Sequence, residues 1–377
     1  MPAKNSKLLI VLNIILLIAM LGFFIFMMWY TAYRLHQHFY TISFWALQIT
    51  VALTAIGTLV IMIFSTRFTN PFAAFLNIIA GYVFMFVIFL FFLLLILHSI
   101  FLIGAPPLVR SGIAAIAIAF VITFIGALLG SFFVVRESKI EIKGLKKELR
   151  IMQISDVHIG LQYGRRYLAK IVEETNKRNP DMVFITGDLV DAKSALLPGV
   201  LEPLSAFKAP AYFVEGNHDK YVGIEPLLKL LEQHGVHILR NKVVETHGIQ
   251  LIGLDYMKAD ENTFDMHPSD NSNTVKSVLA EITLKNEIPS ILLHHSPVGA
   301  HYAETAGINL MLSGHTHGGQ IFPFSLFAKL SFPFNSGLYR HGKTKVFVSN
   351  GASTYMIRVR LGILNEINLL RLIPENN

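Results

Sequence analysis

The chain contains no cysteine. Disulfides, thiolate nucleophiles and cysteine-ligated zinc or iron–sulfur centres are thereby excluded. Charge is also scarce. Asp, Glu, Lys and Arg make up 15% of the 377 residues, against 53% hydrophobic, whereas a soluble domain carries about a quarter charged residues. The deficit lies almost wholly before residue 136, so an apolar first part precedes a second part of ordinary soluble composition. Acidic residues are missing from every long apolar run, which disfavours a transport pathway lined by titratable groups. There is no internal repeat and no low-complexity segment.

Four apolar runs, at 8–30, 44–64, 75–103 and 113–135, are long enough to cross a hydrocarbon core of about 20 helical residues. The first is too long for a signal-peptide core and is followed by three more, so it is read as retained. His98, near the end of the third run, is the one ionisable side chain well inside a run. It suits a headgroup neighbour or a ligand site. Lys4, Lys7, Arg67 and the six Lys and Arg residues from Arg136 to Arg150 fall on one side of a four-span arrangement, and Arg34 and Arg110 on the other. That bias predicts an inner-membrane, multi-pass protein with both ends and the second part in the cytoplasm. The basic cluster after the fourth run is expected to meet lipid headgroups, with no nucleic acid as partner. The expected organisation is a four-helix transmembrane region over 1–136, a basic juxtamembrane linker over 137–148 and an α/β domain over 149–377.

In the second part, short apolar runs at 149–154, 182–186, 211–214, 250–253, 290–293, 310–312, 346–348 and 367–370 read as buried strands. Helical patterns at 166–178 and 226–234 alternate with them, which implies layered α/β architecture. The polar stretch 258–274 is the expected mobile loop. Polar clusters follow the strands, where open α/β sheets place their ligands. They are Asp156-Val157-His158, Gly187-Asp188 with Asp191, Gly216-Asn217-His218-Asp219, His294-His295-Ser296-Pro297, and Gly314-His315-Thr316-His317-Gly318-Gly319-Gln320. In extended backbone, residues two apart share a face, so Asp156 with His158, and His315 with His317, are expected to converge. Carboxylate and imidazole donors suit divalent Mn, Fe or Zn, and two such ions side by side form a clamp for in-line displacement at phosphorus. Any one cluster alone reads as a turn or a core histidine; five in order at strand ends read as a site. His267, His301 and His341 belong to no motif and are expected at the surface or in the core.

The five clusters, in this order, resemble the calcineurin-like metallophosphoesterase family, with its D-x-H, GD-x-x-D, GNH-D/E, H and G-H-x-H blocks, over roughly residues 149–372. The resemblance implies an α-β-β-α layered catalytic domain and a metal-dependent phosphohydrolase activity. It also implies two divalent cofactor ions, Mn²⁺ first, with Fe, Zn or Mg as alternatives. Asp156, His158 and His317 would hold the first ion and Asp188 would bridge both. Asn217, His315 and one of His294 and His295 would complete the second, and Pro297 two residues on favours His295. His218 would stand near the leaving group as general acid, Asp219 would orient His218 or its loop, and Asp191 would support its loop.

A soluble phosphatase needs no spans, so the substrate is expected to be a lipid-linked phosphate, with membrane lipids as partners. The segment 321–334, with Phe322, Phe324, Phe327, Phe332 and Phe334, either dips into lipid or lines an acyl groove, or is a core segment. Arg358 and Arg360 either pair with a phosphate or sit exposed on an edge strand. The G-H-T-H-G-G-Q block followed by Pro-Phe resembles the membrane-associated bacterial branch of the family. Four spans ahead of such a domain resemble the membrane-bound UDP-2,3-diacylglucosamine pyrophosphatases of lipid A synthesis, whose reaction leaves a lipid monophosphate and UMP. A phosphomono- or diesterase acting on phospholipid, and a non-catalytic membrane sensor or scaffold, are the alternatives.

Overall fold

The computed structural model describes residues 3–102, 109–263 and 272–375. His267 and the middle of the 258–274 stretch lie outside the described residues. The chain divides into two compact units, Met1–Arg67 with Phe75–Ile125, and Phe68–Ala74 with Gly126–Asn377.

The first unit is built from α1 (Ala3–His38), α2 (Phe44–Ser65), α3 (Pro71–Leu102) and α4 (Val109–Gly130). Each is long and apolar enough to cross a membrane, through Leu17–His38, Phe44–Ser65, Pro71–Ile100 and Ser111–Gly130. Large side chains face outward: Trp45 and Leu53 are each 70% exposed. A water-soluble bundle would bury them, whereas a lipid-facing one presents them. Polar groups inside find one another. Tyr30 Oη lies 2.8 Å from His98 Nδ1, and Asn77 Nδ2 donates to Met62 O at 3.1 Å and Ser65 Oγ at 2.8 Å. His98 is thus paired within the bundle, as polar groups in hydrocarbon must be.

The second unit holds two six-stranded sheets. Its strands are β1 (Phe133–Ile142), β2 (Leu149–Ile154), β3 (Met182–Thr186), β4 (Ala211–Val214), β5 (Val236–Ile238), β6 (Lys242–Thr246), β7 (Ile249–Gly253), β8 (Ser290–Leu293), β9 (Leu310–Ser313), β10 (Gly337–His341), β11 (Thr344–Val348) and β12 (Asn365–Pro374). Its helices are α5 (Arg165–Lys177), α6 (Asn217–Val222), α7 (Ile224–Gln233), α8 (Val275–Glu281), α9 (Ala300–Thr305) and α10 (Phe324–Ser331). One sheet runs β1-β12-β2-β3-β4-β5 and the other β10-β11-β9-β8-β7-β6. Alternation along each strand builds the layers. Ile151, Phe184, Tyr212, Leu251, Ile291 and Leu312 fill the space between the sheets. Met152, Val183 and Phe213 face out against Leu168 and Ile171 of α5 and Leu227 and Leu231 of α7. On the other sheet, Ile252, Leu292 and Met311 pack on Val275 and Leu279 of α8 and Ala300 and Ala303 of α9. The result is the α-β-β-α sandwich, with strands buried on both faces and therefore apolar at nearly every position.

One expectation is corrected. Residues 137–148 are not all linker, because β1 pairs in parallel with β12 from Phe133↔Asn365 to Ile142↔Pro374. α4 stops at Gly130, and Asn365 Nδ2 donates to the carbonyls of Gly130 and Phe132. Of the six basic residues assigned to headgroups, Arg136 is ion-paired to Glu366 at 2.7 Å. Ile140 and Ile142 are each 1% exposed, between the sheets. Ile140→Ala should therefore cost about 2–5 kcal/mol of domain stability, read by urea-dependent proteolysis of the full chain. A linker position would show no change.

Candidate metal centre

The five polar clusters converge at the C-terminal ends of β2, β3, β4, β8 and β9. The backbone there is not extended. Asp156, His158, Asp188, His315 and His317 have φ of 53°, 47°, 51°, 74° and 50°. The strand-like alternation expected for Asp156 with His158 and for His315 with His317 is thus overturned. These ligands are aimed by left-handed turns, a conformation that Asp and His tolerate better than bulky residues but that still carries strain. Neighbouring glycines allow the close approach. A Cβ on Gly216 would overlap Asp188 Oδ1, and one on Gly314 would overlap Ser155 Oγ and Asp156 Oδ2.

Ligand atoms of these clusters fall into three groups, each within 4.8 Å: Asp156, His158 and His317; His158, Asp188 and His218; and Asp188, His295 and His315; a fourth group, His301, Glu304 and His341, lies outside them and more exposed. Asp188 belongs to two of them. His317 Nε2 lies 3.4 Å from Asp156 Oδ1 and 3.0 Å from His158 Nε2. His295 Nε2 lies 3.1 Å from Asp188 Oδ2, and His315 Nδ1 3.3 Å from His295 Nε2. The far nitrogens are fixed by backbone, as is usual for metal-binding imidazoles. His295 Nδ1 donates to Thr186 O at 2.8 Å and His317 Nδ1 to Ser353 O at 3.2 Å. Asn217 Oδ1 is buried without a hydrogen-bond partner among the described residues, which suits an amide oxygen awaiting a cation. Nitrogen and oxygen donors packed this closely fit divalent transition metals.

Electrostatics point the same way. Burial, with the His218 charge beside it, pushes His158 down to about 3, and burial holds His317 well below its usual value, so both keep a free lone pair. Burial alone would lower His295, but the Asp188 carboxylate outweighs it and lifts His295 to about 10. Burial and the Asp188 charge raise Asp156 to about 6, against the pull of His295. A pair of buried carboxylates this close calls for positive charge between them.

The remaining expected residues fall out as follows. His294, 0% exposed, joins none of the three groups; His295 faces Asp188. Asp219, expected to orient His218 or its loop, lies fully buried beneath the ligand turns. Its two oxygens accept Gly216 N at 2.9 Å and Val190 N at 3.0 Å, tying one ligand loop to another, and burial raises it to about 8. Asp191 Oδ2 lies 3.9 Å from His158 Nδ1. Arg360 is not a phosphate contact, and no edge strand forms around it. It is 0% exposed, and donates to His317 O at 2.7 Å, Asn350 O at 2.6 Å, Ser353 O at 2.7 Å and Asn365 Oδ1 at 2.6 Å. Its guanidinium is therefore spent on the loop that holds His317. Arg358 stacks over the Tyr163 ring at 4.9 Å and donates to Gln162 O at 3.2 Å. Phe322 and Phe324 are 53% and 37% exposed and α10 has no buried residue, so the core alternative fails for 322–331, while Ile321 is buried and Phe334 packs on the core.

Two contributors had no motif. The Tyr355 ring stands 4.8 Å from that of His218 and 5.9 Å from that of His158, walling one side of the centre. The Ser349–Ser353 loop supplies the carbonyls for Arg360 and His317. The signal for it was present, because Ser349-Asn350-Gly351 follows β11 with the same strand-then-polar-glycine rhythm as the five blocks.

Two outcomes follow. Arg360→Met removes the guanidinium's four hydrogen bonds to buried acceptors and should cost about 3–5 kcal/mol, with loss of bound metal in elemental analysis. An arginine that only bound substrate would change KM alone. In the metal-free protein, the His295–Asp188 pair contributes fully below pH 6.5 and is lost as pH rises through about 10. Below about pH 10 a metal must displace this proton, so calorimetry at pH 7 in buffers of different ionisation enthalpy should show about one proton released. No release would contradict the assignment of His295.

Residues 149–319 match the family model for calcineurin-like phosphoesterases. An uncharacterized metallophosphoesterase of Helicobacter pylori is 38% identical over 247 residues, covering 64% of this chain and 64% of that protein. A transmembrane protein with metallophosphoesterase domain from Danio rerio is 38% identical over 232 residues, covering 58% of this chain and 52% of that protein. The chain thus spans less than two thirds of the length of both. An uncharacterized metallophosphoesterase of Aquifex aeolicus is 31% identical over 247 residues, 61% of this chain and 91% of that protein. With these blocks in this geometry, the chain belongs to the calcineurin-like metallophosphoesterase family.

Proposed function

We propose that the protein is a membrane-anchored, dinuclear-metal phosphohydrolase acting on a lipid-linked phosphate. The observation that carries this reading is Asp188, whose Oδ2 lies 3.9 Å from His158 Nε2 on one side and whose carboxylate groups with His295 and His315 on the other. Asp156, His158 and His317 would hold one ion, Asn217, His295 and His315 the other, and Asp188 both. Two divalent ions bound there supply Lewis acidity to a phosphoryl oxygen and bring the pKa of water toward neutrality.

The chain's own residues do the rest. His218 is half-buried at the mouth, its ring 4.9 Å from that of His158 and 4.8 Å from that of Tyr355. As an imidazolium it donates a proton to the leaving oxygen, worth about 10²–10⁴-fold. His218 N donates to Asp188 Oδ1 at 2.8 Å, so the turn that carries the acid is pinned to the carboxylate that would hold both ions. Arg360, through His317 O, keeps that imidazole from shifting, as orientation of the reacting groups requires.

The lipid part of the reading rests on the four apolar helices, which tether the domain where lipid-linked substrates reside. The Lys and Arg bias of the flanks favours the cytoplasmic face of the inner membrane. UDP-2,3-diacylglucosamine, split to lipid monophosphate and UMP, is the first substrate to test, and Mn²⁺ the first ion. A phosphomono- or diesterase on phospholipid is the second reading.

His218→Ala should lower turnover by about 10²–10⁴-fold with metal content unchanged. Loss of both metals would make His218 a ligand instead, which its place beside His158 and Asp188 allows. Purified full chain with Mn²⁺ should turn over UDP-diacylglucosamine or a phospholipid in preference to an aryl phosphodiester. The reverse preference would overturn the lipid-linked reading, and no turnover with metal bound would favour a scaffold.

A further inference from the structure

The segment between Gln320 and Asn335 is built inside out. Ile321 and Asn335 are 6% and 4% exposed and pinned, with Phe322 N donating to Leu361 O at 2.9 Å and Thr316 Oγ1 to Asn335 O at 2.6 Å. Between them α10 buries none of its residues. The side chains that seat it are small: a Cβ on Gly319 would overlap Ser325 Cα and press on Ala328 Cβ. The large apolar ones point away. Phe322 is 53% exposed, Leu326 51%, Phe327 67% and Leu330 85%. A helix on a water-soluble domain does the reverse, and a contiguous apolar patch held by pinned ends marks an interaction surface.

We infer that this face of α10, with Phe322, is a second membrane contact, seated in the headgroup–acyl boundary of a bilayer. Three observations favour lipid over a protein partner. The chain carries four helices apolar enough to span a membrane, so covalent continuity keeps the domain close to lipid. No Asp or Glu occurs between Ile321 and Asn335, while Lys329 does, so the segment itself offers an anionic headgroup layer a cation and no like charge. Finally, the only charge within α10 is Lys329 in its last turn, the pattern of a short helix lying in an interface. The patch adjoins the metal centre, since the Phe332 ring is 5.7 Å from that of His315. A phosphate drawn from the bilayer therefore need not leave the interface to reach the metals. The inference shares with the proposed activity only the membrane tether.

The absence of cysteine allows a clean test. An environment-sensitive fluorophore is attached at Leu330→Cys, or at Phe327→Cys, in the otherwise native full chain, with Lys229→Cys on exposed α7 as control. Each is reconstituted in phosphatidylethanolamine–phosphatidylglycerol vesicles with and without spin-labelled acyl chains. The expected result is blue-shifted emission at 330 and 327 and quenching severalfold above that at 229. Water-like emission with quenching equal to the control overturns the inference. So does emission insensitive to spin-labelled lipid but self-quenched as protein density rises, which would make the face a contact between copies. Turnover is not read in this experiment, so its failure leaves the phosphohydrolase reading standing, and the converse holds.

Discussion

The structure turns on one buried carboxylate. Asp188 is 2% exposed, sits near Asp156, and is ringed by His158, His218, His295 and His315. Two carboxylates in a dry interior repel, and each costs several kcal/mol of solvation unless a cation answers it. In the metal-free protein a proton on His295 answers in part; the proposed pair of divalent ions would answer fully. The left-handed ligand residues, the glycines without room for a Cβ and the backbone-anchored imidazoles are what hold this arrangement against its own repulsion. The sandwich behind them, filled by Ile151, Phe184, Ile291 and Leu312, supplies the rigidity.

The support extends one layer outward. Arg360 is a buried cation whose donors all end on the carbonyls and the amide that shape the His317 loop. Burial lowers it only to about 10, so it stays charged and adds positive potential beside Asp156. Asp219 plays the matching part for the Asp188 and Asn217 loops by accepting two backbone N–H groups. Neither need touch substrate, and each sets the position of residues grouped as candidate metal ligands.

The five blocks were legible because their chemistry is local: ligand types, adjacent glycines and preceding apolar strands lie within a few residues of one another. What was not legible depends on distant partners. Arg358 and Arg360 alternate like an edge strand, and only the 349–353 loop folding over Arg360 removes it from solvent. β1 was hidden because Phe132–Val134 continue the apolar character of α4, and its partner β12 is more than two hundred residues away. The left-handed turns at Asp156 and His317 left no trace beyond nearby glycine. For α10, composition allowed both a core and a surface reading; the small residues at 325 and 328 under it decide for the surface.

The proposed phosphohydrolase, tethered by spanning helices and presenting an apolar helix beside its candidate metal site, has a consistent physical logic, but all of it rests on two ions sharing Asp188. The direct measurement is metal stoichiometry of the full chain, purified, stripped and reloaded with Mn²⁺, against Asp188→Ala prepared in the same way. The account predicts two ions per chain in the unaltered protein and loss of both sites' tight binding in the variant. One ion per chain, retained when Asp188 is removed, would contradict it.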